Sequence, residues 1–164
     1  MAKWSASLNN WTPVAVADTT NFTNAGYHAL QGGSSTQRIN ILEIYMGGLA
    51  SAAAPAQMQF ARDSTVGATS LSGGTNAALD PATAALSSAP VAFHTSTTKP
   101  QRSSTLQLLN LAFNAFGGIV RWVAAPGEEI AMLGNTASFG EVSLSHASAG
   151  TPGLMSSSII YEPL

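Results

Sequence analysis

The chain of 164 residues contains no cysteine, which removes disulfides, iron–sulfur clusters and cysteine-ligated zinc together. Charge is scarce as well. Asp, Glu, Lys and Arg make up 9% of the residues, against roughly 25% in an ordinary soluble domain. Six Lys+Arg against eight Asp+Glu leave a formal net charge of −2. That gives no electrostatic footprint for a nucleic-acid backbone or an anionic membrane, so neither is expected as a partner. No stretch approaches the ~20 apolar residues of a spanning helix. Met1 to Trp11 lacks the apolar run of a secretion signal, so synthesis in a cytoplasm is expected, and the sequons at Asn10 and Asn21 are expected to stay unmodified.

Chemistry-bearing groups are equally thin. His28, His94 and His146 are too far apart for any local metal-ligand motif. His146 continues the Val142 and Leu144 face of a strand, where a half-buried histidine is expected, and His28 and His94 sit beside turns, where surface positions are expected. Serines are abundant, yet no Gly-x-Ser-x-Gly elbow occurs. Ser156 to Ser158 read as small polar side chains on a packed strand. Glu128 and Glu129 are adjacent and therefore face opposite ways on a strand, which argues against a shared acid–base role. Gly32 to Thr36 and Ser72 to Thr75 look like phosphate loops but lack the lysine and the following helix, so both read as turns. Arg121 and Trp122 could set a guanidinium beside an aromatic face; the plainer reading puts Val120 and Trp122 in the core and Arg121 on the outer face, paired or stacked. No catalytic, cofactor-binding or metal residue is assigned, and no cofactor is expected.

What the sequence does contain is strand pattern, cut at short intervals by Gly, Pro, Ser and Asn. Arg38 to Met46 reads as a long strand whose apolar phase shifts from Ile39 and Ile41 to Leu42, Ile44 and Met46, which implies a bulge or burial on both faces. Gln57 to Arg62 alternates as a half-buried strand, with Met58 and Phe60 on one side. Glu129 to Leu133, Glu141 to His146 and Leu154 to Glu162 follow, with weaker candidates at Pro13 to Val16, Gly26 to Leu30 and Pro90 to Thr95. Residues 104–118 are ambiguous. A helix would use Ser104 as cap and Gly117 as terminator, but Ile119 to Val123 follows at once and Gly117-Gly118 suits a tight hairpin, which favours strand. Ser64 to Ala89 reads as a long loop with a helical turn after Asp80-Pro81.

The count reaches eight to ten strands with no internal repeat. The fold class is all-β: an antiparallel β-sandwich, jelly-roll-like, with one domain over 25–164 and an extended N-terminal arm over 1–24, anchored by Trp4 and Trp11.

Arg62-Asp-Ser-Thr-Val-Gly67, the Ala/Ser/Thr loop after it, Phe113-Asn-Ala-Phe-Gly-Gly-Ile-Val-Arg-Trp-Val-Ala-Ala-Pro-Gly-Glu-Glu129 and Gly153-Leu-Met-Ser-Ser-Ser-Ile-Ile-Tyr-Glu-Pro163 together resemble jelly-roll-like proteins that decorate or cement the heads of tailed bacteriophages. The resemblance spans roughly residues 37–164 and rests on texture, not on a diagnostic motif. It implies a non-enzymatic virion protein on the outer capsid surface, a homotrimer that binds the major capsid protein and bridges capsomers. It carries over no binding residue. A sparsely charged surface agrees with a life in protein contacts. A carbohydrate-binding module of a fibre or lectin is the alternative and would need an exposed aromatic platform from Tyr27, Tyr45, Trp122 or Tyr161. A cupin-type enzyme would need a histidine cluster that this chain lacks.

Overall fold

The computed structural model describes residues 2–13, 25–134, 138–147 and 152–164. Twelve strands are found among them, and no helix: β1 (Trp4–Trp11), β2 (Ala25–Gln31), β3 (Ile39–Gly48), β4 (Pro55–Thr65), β5 (Ala68–Gly73), β6 (Thr75–Ala78), β7 (Val91–Thr98), β8 (Gln101–Asn114), β9 (Ile119–Val123), β10 (Ile130–Met132), β11 (Glu141–His146) and β12 (Met155–Pro163).

Four antiparallel pairings, β1 with β12, β2 with β11, β3 with β9 and β4 with β8, lay the chain out as one long two-stranded ribbon. Rolling that ribbon sets β12 against β3 and β11 against β4, and two sheets result. The first runs β10-β3-β12-β1-β6, with β9 beside β10 along the same edge of β3; the second runs β5-β7-β2-β11-β4-β8. This is the jelly-roll connectivity of the sandwich expected from the sequence, with β5 to β7 and β10 added to its eight strands.

The sheets close on a core built from alternate residues of each strand. Trp4, Ala6, Leu8 and Trp11 from β1, Ile39, Ile41, Ile44 and Met46 from β3, and Met58, Phe60, Val142 and Leu144 from the opposite sheet are all buried in it. The phase change along β3 is a bulge. Ile160 pairs Glu43 while the next residue, Tyr161, pairs Ile41, so Leu42 is the extra residue and inward apolar positions resume at Ile44. Gln101 to Asn114 is strand, and the turn into β9 uses Gly117 at φ 72 and a Gly118 N–H to Asn114 carbonyl bond of 2.9 Å.

Four expectations are corrected. Residues 4–11 of the proposed arm are strand β1, hydrogen-bonded to β12 on one side and β6 on the other; residues 14–24, with the Asn21 sequon and most of the Pro13 to Val16 strand, lie outside the described residues. The bulge at Asn10, whose φ is 56, returns Trp11 to the core after two exposed residues and hides the alternation from a pattern search. The Ser64 to Ala89 loop contains β5 and β6, each an edge strand of its sheet; after Asp80 there is a single turn, closed by the Thr83 N–H on the Asp80 carbonyl and capped by the Asp80 carboxylate on the Ala82 N–H, with no helix following it. β4 is buried on both faces beyond Met58, since Gln59, Ala61 and Asp63 are also covered. His28 is wholly enclosed between the sheets.

At Gly48, a Cβ would lie 2.1 Å from the Ala115 carbonyl oxygen, whereas a Cβ at Gly47 meets nothing within 4 Å. Gly48→Ala is therefore expected to cost about 2 kcal/mol or more, roughly 5 °C in Tm, while Gly47→Ala stays within about 0.5 kcal/mol. Thermal unfolding of the two variants side by side checks this, and equal Tm values would refute it.

Candidate functional site

None of the sequence-level candidates gathers into a catalytic constellation. Glu128 is exposed at the turn before β10, and Glu129 accepts the Gly127 N–H at 3.0 Å. Arg121 lies on the outer face of β9, its Nη2 2.8 Å from Glu43 Oε2 and its guanidinium carbon 5.1 Å from the Tyr45 ring centre, while Val120 and Trp122 pack on the core. His146 is buried at the end of β11, next to Met58 in register. Among the described residues no group of three or more His, Asp or Glu side chains could hold a metal ion. Of the aromatic platform candidates, Tyr27 and Tyr161 are buried and Trp122 is half-buried, which leaves Tyr45, already covered by Arg121.

The structure instead brings together two polar clusters that sequence spacing cannot show. Asp63 on β4 and Glu141 on β11 are both fully buried and interact electrostatically. Asp63 Oδ1 accepts the Ser143 hydroxyl at 2.6 Å, and Glu141 Oε2 accepts the Gly67 N–H at 2.8 Å. The remaining oxygens, Asp63 Oδ2 and Glu141 Oε1, receive no donor, which favours the protonated form of these acids. Burial pushes both acids up, Glu141 to about 7; for Asp63 the Glu141 charge adds to burial, and Ser143 and Arg102 oppose it. Arg102, opposite Asp63 in register on β8, donates from Nη1 to Ser145 Oγ at 2.7 Å. The cluster ties β4, β8 and β11 together on the side of the second sheet away from the main core. Its enclosure leaves no room for a substrate, and its chemistry is that of a buried clasp.

The second cluster crosses the core. Ser157 on β12 accepts the Trp11 indole N–H at 3.0 Å, and its hydroxyl lies 2.7 Å from His28 Nδ1. Burial lowers the His28 pKa to about 3, with His94 adding a smaller push in the same direction, so the ring is neutral and can accept the Ser157 proton.

A third feature is a surface. The β3–β4 connection over 49–54, the β8–β9 turn and residues 152–154 form one end of the sandwich, laced by backbone bonds from Leu49 N–H to Leu154, Gly48 N–H to Gly118 and Ala50 N–H to Ala115. Leu49, Phe116 and Leu154 are exposed there, and Ile119, at 79% exposure, begins edge strand β9 just after the turn that carries Phe116. A shallow cavity of about 390 Å³ between Leu49, Ala52, Gly153 and Leu154 opens on the same end. Two large aliphatic residues and a phenylalanine left in water at a rigid end are the mark of a contact surface.

The two titrating clusters predict how stability depends on pH. Glu141 binds its proton more tightly folded than unfolded, so its contribution is complete below about pH 4.5 and is lost as pH rises through 7, at about 1.4 kcal/mol per pH unit per proton. His28 works in the other sense: its contribution is present above about pH 6.5 and is lost as pH falls toward 3. The slopes oppose each other between 4.5 and 6.5. Tm is expected to be level through that window, falling as pH rises on through about 7 and as it drops toward 3.5, and Glu141→Gln is expected to remove the Glu141 slope, so that Tm rises with pH through the window and no longer falls above it. A calorimetric Tm series in which wild type and Glu141→Gln fall alike from pH 6.5 to 8 would contradict the assignment. No protein-family model matches the chain, and no curated protein matches it.

Proposed function

We propose that this chain is a non-enzymatic structural protein of a virion that decorates or cements a capsid, binding the major capsid protein and bridging capsomers as a homotrimer. The observation that supports this reading is the apolar end: Leu49, Phe116, Leu154 and Ile119 stand out from a framework that backbone hydrogen bonds hold rigid. Burying such side chains contributes about 1.5–3 kcal/mol each. A surface with 9% charged residues in the chain offers little repulsion to oppose the contact. In this reading the apolar end is the seam between the copies, and a trimer held at several lattice points raises the effective concentration of every remaining contact.

The carbohydrate-binding alternative would have to work through Tyr45, whose ring face is occupied by Arg121, so it is not favoured. Apolar contacts are insensitive to screening, unlike exposed ion pairs. Light scattering is therefore expected to return a multiple of the 16.7 kDa chain mass, three for the trimer, at both low and high salt. The double variant Phe116→Asp, Ile119→Asp is expected to return the monomer mass with the fold intact by circular dichroism. A wild-type monomer at both salt concentrations, or an unchanged mass in the variant, would overturn the assignment of this end.

A further inference from the structure

At the opposite end of β3 the sandwich has a second opening of different character. Arg38, just before β3, and Arg62, on β4, line a cavity of about 400 Å³ together with Leu106, Met132, Leu133 and Phe139. That volume falls in the range of small-molecule sites, roughly 300–1,000 Å³. Arg62 spans the two sheets here, its Nη2 donating to the Ala131 carbonyl of β10 at 2.6 Å. One N–H of five is used in that bond.

Neither guanidinium has a carboxylate partner among the described residues. Glu43 is taken by Arg121, and Asp63 and Glu141 lie buried in their own cluster. Two of the chain's six Lys and Arg residues line this one cavity. The rest of the wall is apolar, and Leu133 is more than half exposed at the mouth. Phe139 is held in the left-handed region at φ 60, its N–H bonded to the Asp63 carbonyl at 2.9 Å. A non-glycine residue there costs on the order of 1–3 kcal/mol, and such outliers gather at ligand clamps.

We propose that this opening is a binding site for a small amphipathic carboxylate, its head on Arg38 and Arg62 and its apolar body against Leu106, Met132, Leu133 and Phe139. A planar carboxylate matches the guanidinium fork. A phosphate would place more charge against an apolar wall with no further donor to meet it, which disfavours phosphate. The site is separate from the apolar end and does not depend on the assembly reading.

Titration calorimetry with sodium octanoate tests it on the intact chain, with acetate, octan-1-ol and inorganic phosphate as comparisons. Octanoate is expected to saturate one site with Kd below about 1 mM, and each comparison compound to bind at least about tenfold more weakly. Arg62→Gln also loses the Ala131 bond, so Arg38→Gln is the deciding variant. It is expected to weaken octanoate about tenfold or more without moving Tm. Absence of a saturable heat up to about 10 mM octanoate, octan-1-ol or phosphate binding as well as octanoate, or full octanoate affinity in Arg38→Gln would each overturn the proposal.

Discussion

Strands β11 and β12 complete hydrogen-bond ladders that the first four strands cannot complete among themselves. β12 lies between β1 and β3, and β11 between β2 and β4, so each sheet has a C-terminal strand at its centre. Until those strands arrive, the inner edges of β1 to β4 present unpaired N–H and C=O groups, which are costly to bury. Both ends of the sandwich depend on this closure. The apolar end is held in part by the bond from Leu49 to Leu154, just before β12, and the arginine-lined opening is bounded by Phe139, just before β11. Closure by strands distant in sequence also predicts slow folding, since loop entropy must be spent before the contacts form.

The interior is not uniformly greasy, and its polar groups specify how the sheets meet. Ser157 joins Trp11 of β1 to His28 of β2, one strand from each sheet, so a slip of β12 by one residue would turn the hydroxyl away and leave two buried donors or acceptors unmatched. The Asp63–Glu141 clasp does the same for β4 and β11, and Arg102 fixes the start of β8 beside it. Such groups cost desolvation energy, and what they contribute in return is a single register. A core made largely of interchangeable aliphatic side chains supplies little register information of its own.

Strand identity was legible where apolar and polar residues alternate at full contrast, as in Glu141 to His146, which is β11 from its first residue to its last. The bulge in β3 was readable too, because Ile, Leu and Met mark the shift of phase. Contrast failed at β1, where Asn9 and Asn10 interrupt the Trp4, Ala6, Leu8 series, and at β5 and β6, where Ser, Thr and Ala give the same texture as a loop. The polar clusters left no trace in spacing. Asp63 and Glu141 are 78 positions apart, and Ser157 is 129 from His28, with pairing decided by the roll of the sheets. Glu128 and Glu129, the carboxylates that sequence places together, are the ones the fold leaves at a turn. The two openings were equally invisible, since each is assembled from three or more segments.

If the molecule works by contact through its apolar end, that end should be the part of the backbone whose protection changes on association. Hydrogen–deuterium exchange at dilute and concentrated protein measures this directly. The account predicts added protection over residues 47–54, 115–121 and 152–156 at high concentration, with the arginine-lined opening unchanged. Exchange that is independent of concentration, or protection that appears only elsewhere, would contradict it.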